Sequence, residues 1–291
     1  MAKKTDIPNF GPLNGVRVVH CSQSLAGPFA ASLMADLGAD VIWVESAVGQ
    51  DVSRIAPGMA AQLDRRNMRT IKLNVNTPAG KEVLLRLVRE ADIFLEASKP
   101  GQYKKWGLTD EVLWGENPQL VITHISGFGQ WGDPDYVRRA SYDPIAQAFS
   151  GVMYMNGLPG RRSAPAEVSI SDDYTGYMAA FASLAAYISA ARTGKGDSID
   201  VSQYESTLRC EAGWPLDIWN DSGRPFVQGK GNNVNVGFNS YMCSDGREVY
   251  MVIIGPALLK RLMALLDLPY NEGVFAGCIN NVKEGTPAGE D

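Results

Sequence analysis

The sequence predicts an α/β protein, with a doubly wound parallel sheet in a large domain and a smaller α/β domain after it. Three observations carry this prediction. Runs such as Ile93-Phe94-Leu95 and Leu120–Ile125 are nearly continuous in hydrophobicity, as strands covered on both faces are. Helical patterns stand between these runs, and strand–helix–strand repetition indicates parallel pairing through crossover helices. The chain has 291 residues, 45% hydrophobic and 20% charged, enough for one large domain or two ordinary ones.

Val16–His20 reads as the first strand, followed by a turn at Ala26-Gly27-Pro28. A helix over Phe29–Leu37 places Phe29, Leu33, Met34 and Leu37 on one face, and Gly38 stops it. Val41–Glu45 is the next strand. Thr77-Pro78 supplies a cap and a first-turn proline to a helix over Ala79–Arg89, with Val83, Leu84, Leu87 and Val88 as its face. Ile93–Leu95 and Leu120–Ile125 add two strands. From Gly127 to Gly160, glycine, proline and aromatic residues predict long loops. A long helix follows over Asp173–Ala191, with Tyr177, Met178, Phe181, Leu184, Ala185 and Ile188 on one face and Gly194-Lys195-Gly196 as its end. Ser198–Val201 is strand-like. Beyond Gly213 come a loop at 229–233, a strand over Glu248–Ile254 and a helix over Pro256–Leu266. The large domain is placed at 1–211, and a linker with an incomplete small domain at 212–291.

Composition narrows the function. Lys and Arg total 27 against 32 Asp and Glu, a net charge of −5, and the isoelectric point is near 5.2. That balance argues against a nucleic-acid partner, which needs a concentrated positive surface. No run approaches the roughly 20 apolar residues of a membrane-spanning helix, so no membrane partner is expected. Two early lysines without an apolar stretch behind them do not make a signal peptide. Cys21, Cys210, Cys243 and Cys278 show no metal or redox spacing, which predicts a reduced, cytoplasmic setting. With only His20 and His124 present, no metal site is expected and the chemistry falls to carboxylates.

Several residues invite a functional reading beside a plainer one. The segment Ser24–Ala31 lacks G-x-G-x-x-G, which disfavours nicotinamide chemistry, although the helix start there could hold part of a nucleotide-like ligand. Arg65, Arg66 and Arg69 could fork onto phosphates or form a solvated basic run. Lys99, Lys104 and Lys105 flank Pro100-Gly101 after a strand end, where open α/β sheets bind ligands. Asp172-Asp173 opens the long helix, either as a cap or as a nucleophile toward an activated acyl group. In the second role, the helix N–H groups are expected to keep its pKa low and the carboxylate ionised. Trp106, Trp131, Trp214 and Trp219 could cage a cationic group or simply pack in the core.

Together these residues resemble the class III CoA-transferase family, which includes formyl-CoA, carnitine and bile-acid CoA-transferases. The resemblance runs over nearly the whole chain. It includes Phe10–Val19, Leu37–Ile42, Arg65-Arg66-Asn67, Asp92–Lys99, Gly107–Trp114, Ser126–Gln130, Ser141-Tyr142-Asp143, Gln147–Gly151 and Thr193–Val201. The wording Glu-Ala-Ser-Lys, Ser-Gly-Phe-Gly-Gln and Gln-Ala-Phe-Ser-Gly is most similar to the carnitine and bile-acid branches. The family's nucleophilic aspartate lies four residues before a helix glycine, so Gly176 points to Asp172 and not to Asp173.

The resemblance implies a Rossmann-like large domain that binds coenzyme A as a substrate. It implies CoA transfer from an acyl-CoA to a small carboxylic acid, of the carnitine or crotonobetaine type, through a covalent intermediate on Asp172. It also implies CoA contacts at Ala26, Leu73, Asn76, Ala97, Ser98, Lys99 and Lys105, with Phe128 nearby. Arginine, found in some relatives at the Trp106 and Ser46 positions, is missing here. Members of the family form interlocked homodimers and run to roughly 400 residues, about two ordinary domains. This chain ends inside the expected small domain, as a fragment, a natural truncation or one half of a split enzyme. Bile acids are the runner-up acceptors. A non-catalytic CoA-binding protein is the alternative from another class. The α-methylacyl-CoA racemases share the fold, but His124 is not at an equivalent place to their acid–base histidine.

Overall fold

The computed structural model describes residues 9–55, 58, 62–156, 160–211, 213, 216, 219–220, 235–283 and 287–290. The chain divides into two compact units, Met1–Tyr154 with Ala164–Pro215, and Met155–Ser163 with Leu216–Asp291. The expected boundary after residue 211 thus falls a few residues later, and a short excursion near 155–163 joins the second unit.

In the first unit, six strands form one parallel sheet: β1 (Arg17–His20), β2 (Asp40–Ser46), β3 (Met68–Leu73), β4 (Ile93–Glu96), β5 (Val121–Ser126) and β6 (Ser198–Ser202). Their order is β3-β2-β1-β4-β5-β6, and every neighbouring pair is parallel. The helices and short helical turns of this unit are α1 (Ala26–Asp36), α2 (Val52–Ile55), α3 (Pro78–Arg89), α4 (Gln102–Lys105), α5 (Asp110–Glu116), α6 (Pro134–Val137), α7 (Asp143–Ser150), α8 (Val152–Met155), α9 (Ile170–Thr193) and α10 (Gln203–Cys210).

Alternate strand residues face opposite layers. Val18, Ile93, Leu95 and Val121 join Met34 and Ala179 in one core cluster, on the side of α1 and α9. Val19, Phe94 and Ile122 join Leu84 and Val88 in the other, on the side of α3. Both faces are therefore covered, which explains the unbroken hydrophobicity of the central strands. Thr77 caps α3 by accepting the Gly80 N–H at 3.2 Å, an interaction worth about 1 kcal/mol.

Several elements differ from the sequence reading. The helix after β1 starts at Ala26, so Ala26-Gly27-Pro28 is its first turn and the bend lies upstream. It buries Ala30, Ala31, Met34 and Ala35, whereas Leu37 is exposed. In α9, too, small residues are buried: Gly176, Ala179, Ala180 and Ser183, while Tyr177, Phe181 and Ile188 point outward. The reason is the close approach of α1 and α9. A Cβ on Gly176 would stand 2.6 Å from Phe29 Cδ1 and 2.8 Å from the Ala26 carbonyl oxygen. The expected loop over 127–160 contains α6, α7 and α8. Strand β3 lies at a sheet edge, where its polar Arg69, Thr70 and Lys72 are tolerated.

In the second unit, β7 (Asn235–Val236) pairs antiparallel with β10 (Val282–Lys283), and β8 (Ser240–Met242) with β9 (Glu248–Tyr250). The strand expected over Glu248–Ile254 stops at Tyr250. Helix α11 (Pro256–Leu265) packs Leu259 and Met263 on Phe275, Val282 and Ala288, the last from α12 (Pro287–Glu290). The Gly-Asn loop at 229–233 and Trp214 lie outside the described residues.

Candidate active site

The chain leaves β1 toward β2, while β4 lies on the other side of β1 in the sheet. Connections leaving the carboxyl ends of β1 and β4 diverge there, and such a switch point opens a crevice in doubly wound sheets. Gln23–Gly27 after β1, Ala97–Pro100 after β4 and Ser126-Gly127 at the end of β5 line that crevice, together with Asp172 and Gln203. Its volume is about 220 Å3. A second cavity of about 450 Å3 adjoins it and shares Gln23 and Ala97–Lys99.

The loop after β1 is held from behind. Ser24 adopts a left-handed φ of 65°, and its N–H donates to Asp51 Oδ2 at 3.0 Å. Arg65 donates to the Ser24 carbonyl at 3.1 Å and to Asp51 Oδ1 at 3.0 Å. Arg66 pairs with Asp36, and Arg69 with Asp40. Of the basic run, Arg65 is buried against Asp51, while Arg66 and Arg69 pair with carboxylates of this same unit and stay partly in solvent.

Asp172 is the third residue of α9, one turn before Gly176. Its carboxylate does not cap the helix. Ser169, the capping position, makes no side-chain cap bond. Asp143, at the start of α7, performs that role from outside by accepting the Ser171 N–H at 2.7 Å and the Asp172 N–H at 3.4 Å. Asp143 is in turn fixed by the Gln147 amide at 2.6 Å. The Asp172 carboxylate is left to face the crevice, where its Oδ1 accepts from Gln203 Nε2 at 2.6 Å. Gln203 is oriented by Ser141, whose Oγ donates to its Oε1 at 2.6 Å.

These neighbours correct the expectation of a low pKa. Burial, then the Asp143 carboxylate, then that of Asp173 push the Asp172 carboxyl up to about 7, with Asp64 adding slightly and the Gln203 hydrogen bond opposing. The helix N–H groups that would have lowered it are given to Asp143 instead.

The sequence profile of CoA-transferase family III matches residues 13–283. The chain belongs to CoA-transferase family III. It is 40% identical over 265 residues to the bile acid CoA-transferase BaiK of Clostridium scindens, covering 91% of this chain and 60% of that protein. It is 39% identical over 271 residues to the L-carnitine CoA-transferase of Proteus mirabilis, covering 93% and 66%. The chain thus spans less than two thirds of the length of either relative. A CAIB/BAIF family protein from Brucella suis superposes with a TM-score of 0.77 at 32% identity, over 89% of this chain and 70% of that one. Rv3272 from Mycobacterium tuberculosis gives 0.74 at 25% identity, over 89% and 68%.

Against this family III background, Ala26 and Ala97–Lys99 line the same cavity as Asp172. Leu73 and Asn76 line the adjoining cavity, along with Ser46 and Trp106. Lys105 is exposed on α4 and lines neither, and Phe128 lines a separate aromatic cavity. Gln203 was not singled out by sequence reasoning, and Asp143 entered only within the Ser141-Tyr142-Asp143 block, with no role of its own. Ser202-Gln203-Tyr204-Glu205 does carry the S-x-x-E signature of a helix start. In the structure Ser202 Oγ accepts the Glu205 N–H at 3.1 Å, which sets Gln203 at the head of α10. Among the described residues no group of three or more His, Cys, Asp or Glu side chains could hold a metal, and no helix is long and apolar enough to cross a membrane.

His124, outside this crevice, lies in a separate network. Nδ1 is 2.7 Å from Glu96 Oε1 and Nε2 is 3.0 Å from Asp110 Oδ1. Burial opposes its charge, but the hydrogen bonds it donates to Asp110 and Glu96 prevail and raise its pKa to about 10. Glu96 Oε2 also accepts the Ser98 N–H at 2.8 Å, so this buried network reaches the loop that lines both cavities.

Proposed function

We propose that this chain carries the chemistry of a CoA-transferase, moving coenzyme A from an acyl-CoA to a carboxylic acid with Asp172 as covalent nucleophile. The observation that carries the reading is the placement of Asp172: its carboxylate faces the switch-point crevice, aligned by Gln203 and freed from helix capping by Asp143. A carboxyl with a pKa near 7 is more basic, and so more nucleophilic, than an ordinary aspartate, while still ionised in a large fraction of molecules at neutral pH.

The sequence of bonds is as follows. An oxygen of Asp172 attacks the thioester carbonyl of the donor, the C–S bond breaks, and a mixed anhydride and CoA thiolate form. The thiolate attacks Cγ of Asp172, giving an aspartyl-CoA thioester and releasing the donor carboxylate. The acceptor carboxylate attacks the same Cγ and expels the thiolate, forming a second mixed anhydride. The thiolate then attacks the acceptor's acyl carbon, and Asp172 leaves as a free carboxylate. Each step is a substitution at an activated carbonyl, which divides one difficult transfer into easier ones.

The cavity lined by Leu73, Asn76 and Ala97–Lys99 is assigned to CoA, with Ala26 at the reacting end. Lys105 and Phe128 are not assigned to it. The two curated relatives are nearly equally similar, and the motif wording is shared by both branches, so carnitine-like carboxylates and, as runner-up, bile acids are the proposed acceptors. A homodimer, as in the family, belongs to the same proposal.

The test is Asp172→Asn with L-carnitine, a bile acid and acetate as acceptors. Wild-type protein transfers CoA to at least one, and the variant loses about a thousandfold or more in rate while its circular dichroism is unchanged. Retained transfer in Asp172→Asn contradicts the assignment. Wild-type protein that binds CoA but transfers it to no acid supports the non-catalytic alternative.

A further inference from the structure

Strands β4 and β5 pair in a register that sets Glu96 directly opposite His124, so their side chains stand next to each other on one face of the sheet. Glu96 is only 2% exposed. A carboxylate at that depth is costly unless its charge is paired and its oxygens are hydrogen-bonded. Both conditions are met: His124 Nδ1 lies 2.7 Å from Oε1, and the Ser98 N–H donates to Oε2 at 2.8 Å. On the far side of the imidazole, Nε2 is 3.0 Å from Asp110 Oδ1, and Ser198 Oγ on β6 donates to Asp110 Oδ2 at 2.6 Å.

Donors and acceptors alternate along this chain of bonds in a fixed order. Both neighbours of His124 are carboxylates, so both ring nitrogens must donate, and only the imidazolium does that. Both groups that reach Glu96 are donors, and a carboxylate accepts at both oxygens where a carboxamide would accept at one. Cys21 and Tyr103, the other titratable groups beside Glu96, are pushed up by burial, Cys21 to about 12, and stay neutral. Among the described residues, His124 is the cation that pairs with Glu96.

Ser98 is where this chain of bonds meets the two cavities. Ala97, Ser98 and Lys99 line both of them. The Ser98 N–H is tied to Glu96, and the Lys99 carbonyl accepts the Gln102 N–H at 3.0 Å, so the short loop is pinned on either side of the lysine's side chain. Among the described residues that line the larger cavity, Lys99 is the only charged one. The phosphates of coenzyme A are negative, so the placement of that single ammonium bears directly on how well the ligand is held.

We propose that His124 is a positioning residue for coenzyme A: the imidazolium holds Glu96, Glu96 holds the Ser98 N–H, and the loop so fixed sets Lys99 in the CoA cavity. The inference rests on the CoA-transferase reading, but its test needs no acyl transfer. Coenzyme A is titrated by calorimetry into the full chain and into His124→Gln, Glu96→Gln and Lys99→Met, and hydrogen–deuterium exchange at Ser98 is followed without ligand. The carboxamide in His124→Gln donates toward one carboxylate but not both. That variant weakens CoA about fivefold or more, and its Ser98 amide exchanges about tenfold faster or more. Glu96→Gln keeps the buried shape, removes the charge and does the same. Added to Lys99→Met, His124→Gln weakens CoA by a further twofold at most, about, because it acts through the lysine already removed. A histidine that only stabilised the fold would leave Ser98 exchange and this non-additivity unmoved. CoA affinity in His124→Gln within about twofold of wild type, unaltered Ser98 exchange in both variants, or full additivity with Lys99→Met overturns the inference while the CoA reading stands. Wild-type protein that binds no CoA overturns both together.

Discussion

Burial and the Asp143 carboxylate hold the Asp172 carboxyl near 7, so the ionised share of this proposed nucleophile rises through the neutral range. The rate of transfer at low substrate should therefore climb about tenfold per pH unit below 7 and level off above it. Asp143→Asn removes a negative neighbour while keeping an acceptor for the Ser171 N–H, and should move the midpoint down by about one unit. A pH–rate profile of the two proteins checks both statements, and coincident midpoints would contradict them. Gln203→Leu deletes the hydrogen bond that favours the ionised form, so its midpoint should rise and its plateau fall by about tenfold or more. At this scale the sequence told only part of the story. Asp172 was pointed to only by the resemblance, through its distance from Gly176, and its raised pKa was not legible, because the group that takes its helix N–H lies 29 residues upstream.

At the scale of elements, α1 and α9 decide where Asp172, the proposed nucleophile, stands. Their contact is built from glycine, alanine and serine, and a methyl group at Gly176 would press on Phe29 and on the Ala26 carbonyl. Gly176→Ala should cost about 1–3 kcal/mol of stability and reduce transfer by displacing Asp172 from Ala26, as thermal melting and rate measurements will show. Gly115→Ala in α5 is the matched control: nothing lies within 4 Å of its added Cβ, so the change should be neutral or stabilising by about 0.4–1 kcal/mol. The central strands and α3 were readable from their apolar runs and cap. The buried faces of α1 and α9 were readable only in part: Met34 is buried and Leu33, Met178 and Leu184 pack against the core, but Leu37, Tyr177, Phe181 and Ile188 are exposed, because close helix approach selects small residues, which carry little hydrophobic signal. Strand β3 escaped for a related reason, since an edge strand keeps polar residues on its open side.

For the whole molecule, charge and stability are linked through His124. Its pKa is raised to about 10 in the folded chain from an ordinary value of 6.5, so the folded state holds its proton more tightly. The stability it contributes is fully present below about 6.5 and is lost as pH rises through 10. Thermal melting should therefore fall between pH 7 and 10, and the fall should be shallower in His124→Gln. A wild-type melting temperature that is flat over this range would contradict the reading. The family itself was legible at this scale from many short motifs in order along nearly the whole chain.

The central claim is that Asp172 forms a covalent link to coenzyme A. The most direct measurement is the intact mass of the chain after mixing with a short acyl-CoA, followed by peptide mapping. The account predicts a hydroxylamine-sensitive CoA adduct on the peptide that contains Asp172, absent in Asp172→Asn. An adduct on another residue, or transfer to an acceptor acid with no adduct at any time, would contradict it.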